Sequence, residues 1–238
     1  MIGIDRPLKP EWIYETLKMV EIGTKPSIYN EPFENIAKEL VGKEGKRKVR
    51  TVIFRSFIYS FQNSRNSIKP NIFIELAKKY SLEELKPLFL FKILIDYEIT
   101  RYITKKIAVN IDSSNKLSSF LLSKLMVKDY GDRDVVKRSV RSFFSTLVSF
   151  GILSQINKNN YILSEKLTVS DENIKNSIII YAKVFLKSNV IDIYGIEPEF
   201  LFFFQSIDLQ DVAYKYNGID WEYIRDVNRN ILIIKNKK

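Results

Sequence analysis

Apolar residues recur at three- and four-residue steps through most of the chain, and this period is typical of amphipathic helices. The clearest example lies in residues 132–163, where the helical pattern runs to Gly151 and then changes to two short β-prone runs, 152–156 and 161–163. A polar, turn-forming stretch separates the two runs, so the pattern predicts one helix followed directly by a two-stranded hairpin. The apolar face of this helix comprises Val136, Val140, Phe143, Leu147 and Phe150.

The ends and the polar face of the same helix carry further signals. Asp132 follows Gly131 and is a residue type that caps helices by accepting hydrogen bonds from free N–H groups of the first turn. Gly151 suits the helix C-terminus, where a left-handed residue is often needed. The other face is hydrophilic and mostly cationic, and it comprises Asp134, Lys137, Arg138, Arg141 and Ser145.

Helical periodicity also dominates the chain upstream and immediately downstream of this region. Ser81 and Glu84 have the spacing of a capping box at the start of a long helix, and Pro87 belongs in the first turn of that helix. The predicted helices cover residues 11–22, 34–41, 46–62, 71–80, 85–109, 116–128 and 171–187.

The C-terminal part of the chain resembles a second helix-turn-helix in outline. Short helices are predicted at 209–213 and 220–229, on either side of a turn at Asn217 and Gly218. Because this segment is neutral, a helical pair with a structural or protein-contacting role is expected there in preference to a DNA contact. Residues 231–234 are β-prone and are expected to form an edge strand or a packed tail.

The predicted fold is mainly α, a helical bundle with an embedded winged helix-turn-helix and a smaller helical C-terminal part. The wing is one small β-hairpin. Residues 1–165 are expected to form the N-terminal domain, which includes the winged helix at about 112–165, and residues 166–238 form the C-terminal domain. The alternative is a helix and a hairpin that only pack together, with the charged residues as a solvated face.

Positive charge is concentrated in the middle of the chain. The protein has 38 basic and 28 acidic residues among 238, a net charge of +10. Residues 43–150 contain 22 basic and 10 acidic side chains, whereas residues 1–42 carry a net charge of −2 and residues 151–238 are neutral. A concentrated positive charge indicates a polyanionic partner such as nucleic acid.

A second basic cluster lies at the start of the predicted helix 46–62. A cationic first turn is unfavourable because the helix dipole is positive at the N-terminus. A phosphate bound at that end would offset this cost and explain why the basic residues occur there. An ordinary solvated basic turn explains the cluster equally well. The cluster comprises Lys46, Arg47, Lys48 and Arg50.

Composition restricts the possible chemistry. The chain has no histidine and no cysteine, so catalytic triads, Cys-His pairs and ordinary zinc sites are excluded. No phosphate-binding glycine motif occurs, and no cofactor is expected. The best candidates for the metal site of a magnesium-dependent nuclease are Asp208, Asp211, Lys215, Glu197 and Glu199. Helix caps and helix surface are the simpler explanation of these residues. The absence of cysteine and of a secretory signal at the N-terminus suits a cytoplasmic protein.

The order of a basic helix (46–62), a long helix (85–109), the segment GDRDVVKRSVRSFFSTLVSFGIL and a following hairpin resembles the BrxA family. BrxA is the small helical A component of bacteriophage-exclusion (BREX) defence systems. The resemblance covers about residues 35–165. It implies a non-enzymatic DNA-binding protein that acts in phage resistance beside a methyltransferase, a phosphatase-like protein and ATPases.

These observations lead to the expectation of a non-enzymatic protein that binds double-stranded DNA through a basic winged-helix surface. Arg133, Lys137, Arg138 and Arg141 are expected to approach the major groove or its flanking phosphates. Lys158 at the tip of the wing and the basic cluster at 46–50 are expected to hold the DNA backbone. A winged-helix transcription regulator and a scaffold that binds acidic partners or RNA are the alternatives.

Overall fold

The computed structural model describes residues 3–4, 6–60 and 65–235. It is mainly helical, with two small antiparallel sheets of three strands each. The helices are α1 (Pro10–Met19), α2 (Asn30–Ile36), α3 (Lys43–Ile53), α4 (Ile72–Lys79), α5 (Leu82–Asp96), α6 (Glu98–Asn110), α7 (Ser119–Tyr130), α8 (Asp134–Ser149), α9 (Asp171–Ile180) and α10 (Leu209–Lys215). The strands are β1 (Lys116–Ser118), β2 (Leu153–Gln155), β3 (Asn160–Leu163), β4 (Val190–Asp192), β5 (Trp221–Asp226) and β6 (Arg229–Ile234).

Two helices continue beyond their α-helical part as π-helix. Phe54–Ile58 extends α3, and Tyr181–Leu186 extends α9. Three short 3-10 turns complete the described helical structure, at Pro26–Tyr29, Ile193–Gly195 and Pro198–Phe200. The predicted helix at 46–62 therefore begins three residues earlier than expected, and residues 61 and 62 lie outside the described residues.

Helix α5 lies at the centre of the molecule, and every residue from Pro87 to Ile95 is buried. The capping box predicted at Ser81 and Glu84 is confirmed, since both of its hydrogen bonds are present.

A buried ion pair lies within this apolar helix. Lys92 is 1% exposed, and its Nζ atom lies 2.5 Å from the carboxylate of Asp96, one turn later. Burial lowers the pKa of Lys92, and the ion pair with Asp96 opposes this shift.

The long helix predicted at 85–109 is two helices, because α5 ends at Asp96 and α6 begins at Glu98. Tyr97 between them is extended, and its hydroxyl lies 3.3 Å from that of Ser56. Arg101 donates hydrogen bonds to the carbonyls of residues 94 and 95, at 2.7 and 3.0 Å. These bonds satisfy carbonyl groups that a helix end leaves without partners, so the break is stabilised by contacts that periodicity does not reveal.

Strand β1, helices α7 and α8 and the β2–β3 hairpin follow one another in the central part of the chain. Their sheet has the order β1-β3-β2, with Leu117 opposite Tyr161 in the first pair and Leu153 opposite Leu163 in the second. The predicted hairpin is therefore confirmed. The predicted helix at 116–128 is corrected at its start, because residues 116–118 form a strand that pairs with the later hairpin and the helix begins only at residue 119.

The predicted start of α8 is also corrected. The residue that caps α8 is Arg133 and no side chain accepts a hydrogen bond there, whereas Asp132 forms an ion pair with Lys137. The prediction for the other end is confirmed, because Gly151 has a φ of 77°, which side chains with a Cβ atom rarely adopt.

The predicted C-terminal helix-turn-helix is wrong. Residues 220–229 contain β5, and β5 and β6 form a hairpin to which β4 adds, in the order β4-β6-β5. Trp221 anchors the hairpin, since its buried indole N–H donates to the carbonyl of Ala213 at 2.8 Å. Residues 231–234 belong to the central strand of this sheet and not to an edge strand. The C-terminal part therefore combines helices with a sheet, and the expectation of a purely helical part is corrected.

Residues on both sides of position 165 contribute to one continuous cluster of buried apolar side chains. The amide of Asn173 on α9 donates to the carbonyl of Glu84 on α5, and the ring centroid of Tyr181 lies 6.5 Å from that of Phe91. Helix α5 is therefore covered by the C-terminal part as well as by the N-terminal helices. The division into two domains at residue 165 stays a prediction.

Candidate nucleic-acid interface

Helix α8 separates an apolar face from a charged face as its sequence pattern predicts. All members of the apolar stripe are buried, namely Val136, Val140, Phe143, Leu147 and Phe150. The helix packs toward α6, α7 and β2. Leu8 near the N-terminus also contacts this side of the helix, because its N–H donates a hydrogen bond to the buried hydroxyl of Thr146 at 2.9 Å. The opposite face is left to solvent.

Helices α7 and α8 are joined by the three residues 131–133. Gly131 ends α7 with a φ of 82°, a conformation that residues with a Cβ atom rarely adopt, and it separates α7 from α8. Two helices joined by a short turn that contains glycine are the arrangement that presents the second helix to a groove of DNA in known DNA-binding folds. The burial of α8 on one side and its exposure on the other agree with such a presentation.

Two of the predicted cations of α8 are available to a partner. Arg138 and Arg141 are exposed one turn apart in the N-terminal half of the helix. Within the described residues, Arg138 forms one hydrogen bond, from its Nε group to the carbonyl oxygen of Asp134 at 3.3 Å. Arg141 has no ion pair or hydrogen bond in the part of the chain that the structure describes. Both guanidinium groups therefore keep most of their donors free for an anion.

The other two predicted cations are partly engaged within the protein. Arg133 is exposed and donates its Nε group to the carbonyl of Tyr130 at 3.1 Å. Lys137 is half-exposed and is paired with Asp132, so part of its charge is compensated.

Lys158 lies at the tip of the β2–β3 hairpin, in a turn that its neighbours hold in shape. The side chain of Asn157 accepts hydrogen bonds from the N–H groups of Asn159 and Asn160, both at 3.1 Å. Gln155 donates to the carbonyl of Asn157 at 3.1 Å. The lysine is exposed and sits on an ordered turn directly after α8 and β2, so the structure brings it into the same unit as the α8 cations.

Three further exposed lysines of this unit were not among the predicted site residues. Lys116 lies on β1, and Lys124 and Lys128 lie one turn apart on α7. Lys124 stands over the ring of Phe120, with its Nζ atom 4.5 Å from the centroid. The four-residue spacing of Phe120, Lys124 and Lys128 was the available signal, because it places them on one side of the helix.

The second basic cluster lies on α3. This helix packs mainly against α2, and no comparable packing against α7 or α8 is found among the described residues. Arg47 is exposed and pairs with Glu44 at 2.9 Å, which raises the pKa of Arg47 and lowers that of Glu44. Lys46 donates to the carbonyl of Glu34 at 3.1 Å. Lys48 is exposed and forms no ion pair or hydrogen bond with the residues that the structure describes.

Arg50 is part of the internal structure, in contrast to the rest of this cluster. Its guanidinium donates to the carbonyls of Tyr29 and Pro26 and lies 4.2 Å from the centre of the Phe54 ring. Burial lowers the pKa of Arg50 from its ordinary value. The arginine thus ties the turn at 26–29 to α3, and these contacts engage two of its five N–H donors.

This difference leads to a prediction for two neighbouring cations. Arg50→Ala is expected to lower the free energy of unfolding by about 2 kcal/mol, because two carbonyl groups lose a charged donor. Lys48→Ala, the matched control, is expected to change it by less than about 0.5 kcal/mol. Urea unfolding followed by circular dichroism measures both values. Equal stability of the two variants would show that the Arg50 contacts do not stabilise the loop.

The C-terminal unit, α9 to β6, repeats the sheet order of the central unit but does not repeat its charge. Lys215 on α10 pairs with Asp171 at 2.6 Å, and Asp211 lies on the same short helix. Asp208 caps α10 by accepting from the N–H groups of Gln210 and Asp211. Asp208 and Asp211 therefore act as a cap and as helix surface, and the described residues contain no cluster of three or more acidic side chains that could hold a metal ion.

Comparison of the chain with protein-family models, with curated protein sequences and with solved structures finds no match. Within the described ranges, no helix has both the length and the apolar composition that crossing a bilayer requires. The geometry of the central unit and its charges are therefore the basis for a functional proposal.

Proposed function

We propose that residues from about 112 to 165 form a winged helix-turn-helix that binds double-stranded DNA. In this proposal α8 is the recognition helix and the β2–β3 hairpin is the wing. The observation that carries the proposal is the combination of the sheet order β1-β3-β2 with an α8 whose exposed face presents Arg138 and Arg141. A solvated structural helix needs charge on this face, but it does not need arginines that form no ion pair with the described residues.

The dimensions of the unit suit the proposal. Helix α8 has 16 residues, which corresponds to a length of about 24 Å. A helix fits the major groove of B-DNA, which is about 12 Å wide. Cations in the N-terminal half of such a helix reach base edges and the neighbouring phosphates, while a wing contacts the backbone beside them. We propose that the base edges and neighbouring phosphates are contacted by Arg133, Lys137, Arg138 and Arg141. The wing contact with the backbone is made by Lys158.

The basic cluster on α3 has a smaller part in this proposal than its sequence indicates. Lys48 is proposed to hold phosphate from a different element; Lys46 and Arg47 are proposed to join it by exchanging their contacts with Glu34 and Glu44, and the smallest part falls to Arg50, whose guanidinium contacts two carbonyl groups. The lysines at positions 124 and 128 on α7 are added to the backbone contacts, because α7 packs directly on α8.

The resemblance to the BrxA family extends the proposal to biology. We propose a non-enzymatic, cytoplasmic DNA-binding component of a BREX-like phage-defence system that works beside methyltransferase, phosphatase-like and ATPase partners. A winged-helix transcription regulator is the second candidate, since it uses the same recognition helix. The two differ in sequence selectivity, because a regulator needs a defined operator and the defence component is proposed to bind with weak selectivity.

The experiment that tests the proposal is a fluorescence-anisotropy titration of unrelated labelled duplexes at about 50 and about 200 mM salt. If the cations neutralise about four to six phosphates, the affinity is expected to fall by about 100- to 2000-fold between these salt concentrations, since each released counterion contributes to the slope. Duplex RNA of the same length serves as the control and is expected to bind more weakly, because its deep, narrow major groove does not admit a helix.

A flat salt dependence would contradict phosphate contacts, and stronger binding of duplex RNA would favour an RNA-binding scaffold. Affinities that differ by less than about tenfold among unrelated duplexes support the weakly selective component. One strongly preferred palindrome would instead support the transcription regulator.

A further inference from the structure

A cleft of about 650 Å³ opens between α4, α9 and the end of β6, on elements that take no part in the proposed DNA surface. This volume lies within the range of small-molecule sites in proteins. Apolar side chains form part of its lining, among them Ile72, Leu76 and Ile179. The cleft therefore combines a suitable size with surfaces on which a flat apolar group can rest.

Asn176 on α9 lines this cleft with an amide that lacks an acceptor. The residue is 3% exposed, and its Nδ2 group has no hydrogen-bond partner in the part of the chain that the structure describes. Two neighbouring buried amides are satisfied, since Asn173 donates to the carbonyl of Glu84 and Asn71 donates to that of Ile58. Buried polar groups in folded proteins are nearly always paired, so the Asn176 amide is available to an acceptor that enters the cleft.

The charged lining contains both signs. Lys175 is largely buried and lies 3.7 Å from Glu172 and 3.8 Å from Asp220, which are longer distances than those of good charge-assisted hydrogen bonds. Lys183 has no ion pair within the described residues. The lining cations are Lys79, Lys175, Lys183 and Lys235, and the lining carboxylates are Glu75, Glu172 and Asp220.

These groups together define the chemistry of the ligand. Lysines bind a phosphate as point charges, and carboxylates accept hydrogen bonds from sugar hydroxyls. The apolar walls accommodate a planar ring, and the Asn176 amide donates to an acceptor on its edge. We propose that the cleft binds a nucleoside monophosphate, with its phosphate among the lysines and its base against Ile72, Leu76 and Ile179.

Isothermal titration calorimetry and thermal unfolding of the full chain test this proposal with AMP, GMP, CMP and UMP as probes. At about 1 mM, at least one of the four is expected to raise Tm by about 2–6 °C, because a ligand that binds only the folded state stabilises it. Inorganic phosphate and adenosine, which carry the two halves of the ligand separately, are expected to raise Tm by less than about 1 °C.

Two variants locate the site. Asn176→Asp replaces the amide donor with an acceptor of negative charge, and Lys183→Glu reverses a charge at the cleft. Each is expected to weaken binding by about tenfold or more, since each removes a charged or amide contact to the ligand. Lys78→Glu is the matched control, since Lys78 is exposed on α4 but does not line the cleft, and it is expected to leave binding unchanged.

Three results would overturn the proposal. They are no binding by any of the four nucleotides, an equal shift with inorganic phosphate (an adventitious ion only), and unchanged nucleotide affinity in Lys183→Glu. Lys183→Glu tests the site even if Asn176→Asp fails to fold. None of these results bears on DNA binding by α8, so the two proposals fail independently.

Discussion

Arg138→Glu combined with Arg141→Glu is expected to weaken binding to duplex DNA by about 100-fold or more. The two arginines are exposed one turn apart on α8, and neither forms an ion pair within the described parts of the chain. Each contact of an arginine with a base or its phosphate contributes about 1–3 kcal/mol, and a glutamate in its place repels the backbone as well. Anisotropy titration at a fixed salt concentration measures the loss.

The double variant is expected to retain the stability of the unchanged protein within about 0.5 kcal/mol for each substitution, because both side chains lie at the surface. Lys38→Glu combined with Lys78→Glu is the matched control. It produces the same change in net charge at two exposed lysines outside the central unit. If this control loses as much affinity as the α8 variant, net charge alone explains binding and α8 is not the recognition helix.

Asp96→Ala is expected to lower the free energy of unfolding by about 3–5 kcal/mol, because it leaves Lys92 buried without its partner. The Nζ atom of Lys92 lies 2.5 Å from the carboxylate, and Lys92 is 1% exposed inside the apolar helix α5. Urea unfolding measures the change. Lys92→Met combined with Asp96→Leu is the control and is expected to recover most of the stability, since two apolar side chains replace two buried charges.

The instability of Asp96→Ala is expected to depend on pH in a definite direction. Burial depresses the pKa of Lys92 in the folded state below its value in the unfolded chain. The unfolded state therefore binds more protons between these two pKa values, and stability rises with pH in that window. The variant should gain stability as pH increases toward about 10, the pKa range of an unperturbed lysine. Stability that stays constant over this range would mean that Lys92 finds another partner or water.

The parts of the fold that sequence reasoning predicted well depend on short-range chemistry. The apolar stripe of α8, the left-handed Gly151 and the capping box of Ser81 with Glu84 all follow from residues within one or two helical turns of each other. The exposure of Arg138 and Arg141 follows from the same periodicity. Local spacing therefore predicted both the candidate recognition helix and the cations on its surface.

The wrong predictions concern contacts between distant residues. Residues 116–118 form a strand only because the hairpin that follows α8 offers its edge, and the β5 segment extends only because it pairs with β6 and seats Trp221. The helix break at Tyr97 depends on Ser56 and on Arg101, which bind groups that periodicity does not connect. Helix propensity is a weak preference that tertiary packing overrides.

The sequence by itself determined where charge is concentrated, which face of α8 is buried, and that histidine and cysteine chemistry is absent. Only the tertiary structure decided which cations are available, because Arg50 and Arg141 look alike in the sequence and only Arg50 meets carbonyl groups of a distant turn. It also decided where the cleft beside Asn176 forms, because the walls of this cleft come from four separate parts of the chain. Side-chain availability depends on which surfaces meet in the folded protein, and periodicity carries no information about that.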